Sequence, residues 1–321
     1  MDKEGAMGIF FGRKKDQGHN TDINNQEING TETTTHRARV IAFLNQKGGV
    51  GKTTFAFNTA HALAQKGHKV LCLDMDPQAN LSLLFGIDLK EQAQQQTSAI
   101  PGPFSLYHLM VNSIRELKPL HVGALVDDVL VKRGAIDLLP SGQELSGFEL
   151  TVASINTPRQ LVLKRFLEKT DLLGRYDYIL IDCPPTLGLL VVNVLCAAQG
   201  LMVPFRPDEF SKKGLEHLET VLGDIADMEL TKLPEVIAHI PNLVDARRKQ
   251  EENDLSSIET LIKNRAETLG GDTMAPFYNR SQLVKAQAHK KSVFDFESKE
   301  YAPLQEQFAQ IASKIEAWSQ Q

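Results

Sequence analysis

Apolar residues gather in short unbroken runs, separated by stretches in which they recur every three or four positions. The runs 39-RVIAFLN-45, 69-KVLCLDMD-76, 135-AIDLLP-140, 176-YDYILIDCPP-185, 200-GLMVPF-205, 235-EVIAHIPN-242 and residues 272–276 read as strands. Strands this continuous in apolar character are buried on both faces, as parallel strands under helices are. The intervening stretches 52-KTTFAFNTAHALAQK-66, 105-SLYHLMV-111, 158-PRQLVLKRFLEKT-170, 211–226 and 248–269 read as helices. A last helix is marked by Leu304, Phe308, Ile311, Ile315 and Trp318, which form one apolar stripe. Strands alternating with helices predict an α/β fold, a doubly wound and mainly parallel sheet with helices on both faces, in one domain over residues 37–321. The first 36 residues are polar and aperiodic, so a disordered tail is expected there. The glutamine-rich 92-QAQQQTSAIPGP-103 reads as a surface connection.

Composition narrows this picture. At 321 residues, 42% hydrophobic and 23% charged, the chain has material for a sizeable core. A formal net charge of -5 excludes a surface uniformly coated in cations but leaves room for a local basic patch. No apolar run reaches the roughly 18 residues that span a bilayer, and the start lacks a secretory pattern, so a cytoplasmic protein is expected. Cys72, Cys183 and Cys196 are far apart in apolar segments and read as core thiols. In the tail, 7-MGIFFGRKK-15 joins two aromatics to three cations, either an idle patch or a docking element.

The candidate chemistry begins at 45-NQKGGVGKTT-54, between a strand and a helix. Gly48, Gly49 and Gly51 allow backbone N–H groups, with that of Val50, to turn toward phosphate oxygens at a helix N-terminus. Lys52 is placed to reach the β and γ phosphates of a nucleotide. Thr53 offers a hydroxyl to Mg²⁺, and Thr54 supports the first helical turn. The strict phosphate-loop pattern requires glycine where this chain has Gln46, and Lys47 is a second cation. Alternation along an extended strand would put Asp74 and Asp76 on one side, over the sheet edge where metal and γ-phosphate sit. Asp182 ends a very apolar strand, so its carboxylate demands a cation or hydrogen bonds; a water-bridged magnesium ion or a helix cap meets that demand.

KGGVGKTT, LDMDPQANLS and YDYILIDCPP, in that order, resemble the ParA/Soj branch of the ParA/MinD superfamily of deviant Walker A ATPases. Looser similarity continues through 136-IDLLPSGQEL-145, 203-VPFRPDEFSKKGLEHL-218, 240-IPNLVDARRK-249 and 280-RSQLVKAQAHKKSVFDF-296. The resemblance implies a P-loop ATPase that uses ATP and Mg²⁺. It makes Lys47 the signature lysine, reaching phosphates held by the other subunit of a face-to-face homodimer. Such a trans cation contributes on the order of 10³ to 10⁵ in phosphoryl-transfer rate. Asp76 would orient the attacking water, Asp74 would lie near the magnesium shell, and Asn242 and Pro276 near the adenine.

Relatives of the ParA branch bind DNA without sequence preference, whereas MinD relatives bind membrane through an amphipathic C-terminal helix. Here Arg247, Arg248 and Lys249 form one basic run, and Arg280, Lys285, Lys290 and Lys291 a second. Both fall where the resemblance puts a double-stranded DNA surface, although either alone also fits a solvated helix face. The polar side of the last helix carries Gln305, Glu306, Gln310, Lys314 and Glu316, a poor match to anionic lipid, so no membrane binding is expected. The implied function is segregation of plasmid or chromosomal DNA with a ParB-like partner that stimulates a weak ATPase, in a nucleoid-associated bacterial protein. The alternatives are positioning of another cargo, such as a chemoreceptor array, carboxysome or division machinery, or a MinD-like membrane role. A metal-cluster ATPase of the nitrogenase iron-protein kind would need paired cysteines that the spacing does not offer.

Overall fold

The computed structural model describes residues 37–95, 104–245 and 247–321; the expected tail and its 7–15 fragment lie outside these. Eight strands form one sheet: β1 (Arg39–Phe43), β2 (Val70–Asp74), β3 (Val131–Arg133), β4 (Ile136–Leu139), β5 (Tyr178–Asp182), β6 (Gly200–Phe205), β7 (Glu235–Pro241) and β8 (Asp272–Thr273). Their order is β3-β4-β2-β5-β1-β6-β7-β8. All neighbours run parallel except β3 and β4. The main helices are α1 (Lys52–Gln65), α2 (Asn80–Leu84), α3 (Leu89–Gln95), α4 (Leu106–Asn112), α5 (Val162–Lys169), α6 (Leu189–Ala197), α7 (Glu209–Asp227), α8 (Lys249–Asn264), α9 (Ser281–Ala288) and α10 (Ala302–Ser319).

Strand pleating divides the core in two. Val40, Ala42 and Leu44 face one layer with residues of α4 to α8, and Ile41 and Phe43 face the other with residues of α1, α9 and α10. The stripe expected on the last helix is realised: Leu304, Phe308, Ile311 and Ile315 are buried, each worth about 1.5–3 kcal/mol relative to exposure. Trp318 Nε1 fixes the end of that helix by donating to Glu235 at 3.0 Å. No helix among the described residues is long and apolar enough to cross a membrane.

Several elements depart from the sequence expectation. Helix α6 was not expected, because 189-LLVVNVLCA-197 is apolar around nearly its whole circumference and shows no helical period. The β3 edge is only three residues long and equally silent. The glutamine-rich connection starts inside α3, the region 248–269 breaks at Arg265, and the last strand stops at Thr273. Most relevant to chemistry, β2 ends at Asp74, so Asp74 and Asp76 do not share one side of a strand. The Asp74 carboxylate accepts the Asp76 N–H at 3.2 Å, an Asx turn that bends the chain off the sheet.

Because the central strands are parallel, the segments after β1, β2, β5, β6 and β7 emerge at one sheet edge. That edge, where β1 separates β5 from β6, is the usual ligand crevice of an open α/β sheet.

Candidate nucleotide site and basic surface

The loop after β1 is braced from neighbouring strands. Asn45 donates to Pro204 O at 2.9 Å and accepts the Lys47 N–H at 2.8 Å. Gly51 caps α1 with a φ of 100°, and a Cβ there would lie 2.6 Å from Asn242 Nδ2. Asn242 fills that space, donating to Val50 O at 2.8 Å while its own N–H reaches Phe205 O at 2.7 Å. This residue, expected near adenine, thus holds the loop directly. Pro276, expected beside it, precedes buried Phe277, and its carbonyl accepts Gln307 Nε2 at 3.1 Å.

Lys52 is the first residue of α1 and is buried; its Nζ donates across the loop to Lys47 O at 3.2 Å. Burial lowers its pKa, opposed by the charges of Asp182 and Asp76. Thr54 is buried in the first turn of the helix, where its hydroxyl accepts the Gln287 amide and ties α9 to α1. Gly48 and Gly49 have open space where a side chain would point, and Gly49 has a φ of 72°. Only glycine takes such conformations freely while leaving N–H groups uncovered.

The three acids divide into distinct roles. Asp74 and Asp182 pair in register on adjacent strands and are both fully buried. The Asp74 carboxylate accepts from Ser82 N and Oγ at 2.8 and 2.7 Å, besides the Asp76 N–H. Both its oxygens are therefore committed to the turn and the helix α2 that follow β2, and burial pushes its pKa up to about 7. Ser141 continues the network: its hydroxyl donates to Asp76 O at 2.6 Å, and its N–H donates to Ser82 Oγ at 3.0 Å. Neither Ser82 nor Ser141 stood out in the sequence, although both lie within the motifs quoted there.

Asp182 differs: among the described residues no donor meets either carboxylate oxygen with good hydrogen-bond geometry, although the Thr53 hydroxyl lies near enough to act on it. Burial, then the charge of Asp74, raises its pKa well above the carboxylate range, while Thr53 and Lys52 favour its ionised form. A buried carboxylate without well-formed hydrogen bonds beside a hydroxyl and a lysine fits a hydrated magnesium ion. Thr53 would be its direct protein ligand, with Asp182 holding a water of its shell. Asp76 is buried, and its side chain accepts the Gln78 N–H at 2.9 Å.

Lys47 and Lys52 have different partners. Lys47 Nζ pairs with Asp208, the N-cap residue of α7, and lies 5.8 Å from the ring centroid of Phe210. Gln46 Oε1 meets His217 Nδ1 at 2.9 Å, so α7 contacts both loop residues that break the generic pattern.

The two basic runs share a foundation. Val244 bridges to Tyr278, and the Asn279 N–H reaches Val244 O at 3.3 Å, which sets Val244 and Asp245 beside the segment that leads into Arg280. Arg247 is exposed and grips Asp245 through Nε and Nη2 at 3.0 and 3.1 Å. Arg248 lies 3.5 Å from Glu251 and 3.6 Å from Asp245. Lys249, Lys285, Lys290 and Lys291 are exposed, and Lys291 Nζ lies 5.8 Å from the Phe296 ring. The three cysteines are buried free thiols, as expected.

A mainly parallel sheet whose first strand runs into a glycine-rich, lysine-bearing loop and helix defines a P-loop ATPase. Comparison with known proteins agrees. The AAA domain family matches residues 38–234. The chromosome partitioning protein ParA of Caulobacter vibrioides is 38% identical over 182 residues, which span 56% of this chain and 60% of that relative. Cobyrinic acid a,c-diamide synthase of Mycobacterium smegmatis, solved with an ATP analogue and magnesium, superposes with a TM-score of 0.65 at 26% identity. That match covers 86% of this chain and 93% of the synthase. A plasmid partition protein of Borrelia burgdorferi, bound to AMPPNP, shares the fold with a TM-score of 0.63 at 22% identity, over 87% and 100% of the two chains. This chain belongs to the AAA domain family and to the ParA/MinD superfamily of ATPases.

Proposed function

We propose that the chain is an ATP-dependent homodimer that binds DNA without sequence preference in its ATP state and segregates plasmid or chromosomal DNA. The observation that carries this reading is the divergence of two lysines within one loop. Lys52 Nζ turns inward over its own loop, whereas the Lys47 side chain is 30% exposed beside Phe210, itself 73% exposed. One lysine serves the nucleotide of its own chain and the other that of a second copy.

The chemistry follows from the residues in place. Loop N–H groups and Lys52 would hold the phosphates, and Thr53 with Asp182 would hold Mg²⁺, which would supply charge neutralisation for the transferred phosphoryl group. Asp76 positions the attacking water, and Lys47 from the partner stabilises charge in the transition state. Weak hydrolysis is accelerated by a ParB-like partner, which resets the dimer. Closure doubles the basic surface formed by Arg247, Arg248, Lys249, Arg280, Lys285, Lys290 and Lys291, raising avidity for DNA. The protein would then sit on the nucleoid rather than on a membrane, because the apolar stripe of α10 is already covered.

Retention of DNA fragments of unrelated sequence, with ATP, with ADP and without nucleotide, tests this reading. ATP-specific retention that weakens in Arg247→Ala and Lys285→Ala is expected. Equal retention in all nucleotide states rejects it.

A further inference from the structure

We propose that Asp208 is a positioning residue for Lys47: it holds the lysine on its own chain until a nucleotide on the facing subunit draws it across. This rests on the dimer reading above. Three features support it.

First, Asp208 is built to hold a cation there. Its Oδ1 accepts the Ser211 N–H at 2.9 Å as the N-cap of α7, which orients Oδ2 toward Lys47 Nζ. Partial burial works against its charge, but Lys47 and the Ser211 N–H keep the carboxyl below its ordinary pKa.

Second, the backbone of Lys47 is fixed on both sides. Its N–H is held by Asn45 and its carbonyl by Lys52, so the side chain alone is free to change partner. Third, α7 also engages the preceding residue, through His217 and Gln46, and carries Gly214 where a Cβ would come 3.8 Å from Asn45 Oδ1. The helix approaches the loop closely enough to govern two consecutive side chains. At 30% and 28% exposure, the Lys47–Asp208 pair is weak enough to be exchanged for a nucleotide phosphate.

The exchange breaks two such pairs when a dimer forms, one per chain. Removing the carboxylate should therefore tighten ATP-dependent dimerisation, by about tenfold for two exposed pairs. Asp208→Asn removes the charge while keeping a good helix cap, and Asp208→Glu restores the charge.

Two readouts are needed. In the nucleotide-free full chain, mass spectrometry after brief treatment with an N-hydroxysuccinimide acetate reports the acylation rate of Lys47. Asp208→Asn should raise that rate severalfold while leaving exposed Lys249 unchanged, and Asp208→Glu should return it toward wild type. In sedimentation velocity with ATP and Mg²⁺, Asp208→Asn should dimerise at lower protein concentration than wild type. Unchanged Lys47 acylation overturns the pairing itself. Raised acylation with equal or looser dimerisation overturns the restraint. A wild-type chain that never dimerises defeats the dimer reading and the restraint with it, while the acylation rates still decide whether Asp208 holds Lys47.

Discussion

Asp182→Asn separates stability from function at this site. The wild-type carboxylate is fully buried, both oxygens lack well-formed hydrogen bonds among the described residues, and buried Asp74 lies beside it in register. Leaving a buried polar group unsatisfied costs about 1–3 kcal/mol, more when it is charged. Asparagine leaves the same two polar atoms unpaired but removes the desolvated charge and its repulsion with Asp74, so the nucleotide-free variant should be more stable at neutral pH by about 1–3 kcal/mol. That corresponds to a rise of about 2–5 °C in Tm for a domain of this size. The pH dependence has a definite sign. Burial raises the pKa of Asp182, and that of Asp74 to about 7, so the native state holds more protons than the unfolded chain between about pH 4 and 7. Stability should fall as pH rises through this window, and less steeply in the variant. Mg²⁺ with ATP at a hundredfold over Kd should stabilise wild type by about 2.7 kcal/mol. In the variant, the gain should shrink to that seen with ATP and EDTA. Thermal melts with and without each ligand, across pH, measure all three effects. A variant that melts below wild type without nucleotide, yet keeps the full magnesium-dependent shift, would refute the reasoning.

Gly51→Ala should lose nucleotide binding and about 2–4 kcal/mol of stability, since φ is 100° and the new Cβ meets Asn242, breaking its bond to Val50; urea melts and nucleotide titration read both. Asp76→Ala should bind ATP with near wild-type affinity but release phosphate at least about 100-fold more slowly, a loss typical of removing a group that positions the nucleophile. Lys52→Ala should lose nucleotide affinity, whereas Lys47→Ala should retain it as a monomer and lose hydrolysis, as equilibrium binding and phosphate release will distinguish. If the dimer neutralises about six phosphates, log K for DNA against log salt should slope near about -5, and Lys290→Ala should make it shallower.

The placement of the phosphate loop was legible in the sequence because its pattern is local: Gly48 to Thr54 lie between a buried strand and a helix, as the spacing predicts. Asp182 was legible for a related reason, a charge at the end of a run too apolar to face water. Asp74 was half legible. Its burial followed from the strand, but its engagement by Ser82 depends on how the chain folds back after β2. Asn242, His217 and Asp208 contact the loop from 192, 171 and 161 positions away, and no pattern in a single sequence reports such pairings. Helix α6 stayed hidden because burial on every side erases the period by which helices are recognised.

The most direct measurement is the molar mass of Asp76→Ala in solution, by light scattering with ATP and Mg²⁺, alone and combined with Lys47→Ala. The hydrolysis-deficient chain should double its mass on adding ATP but not ADP, and adding Lys47→Ala should return it to monomer. A chain that stays monomeric with ATP, or a dimer that forms regardless of Lys47, would contradict the two-subunit site.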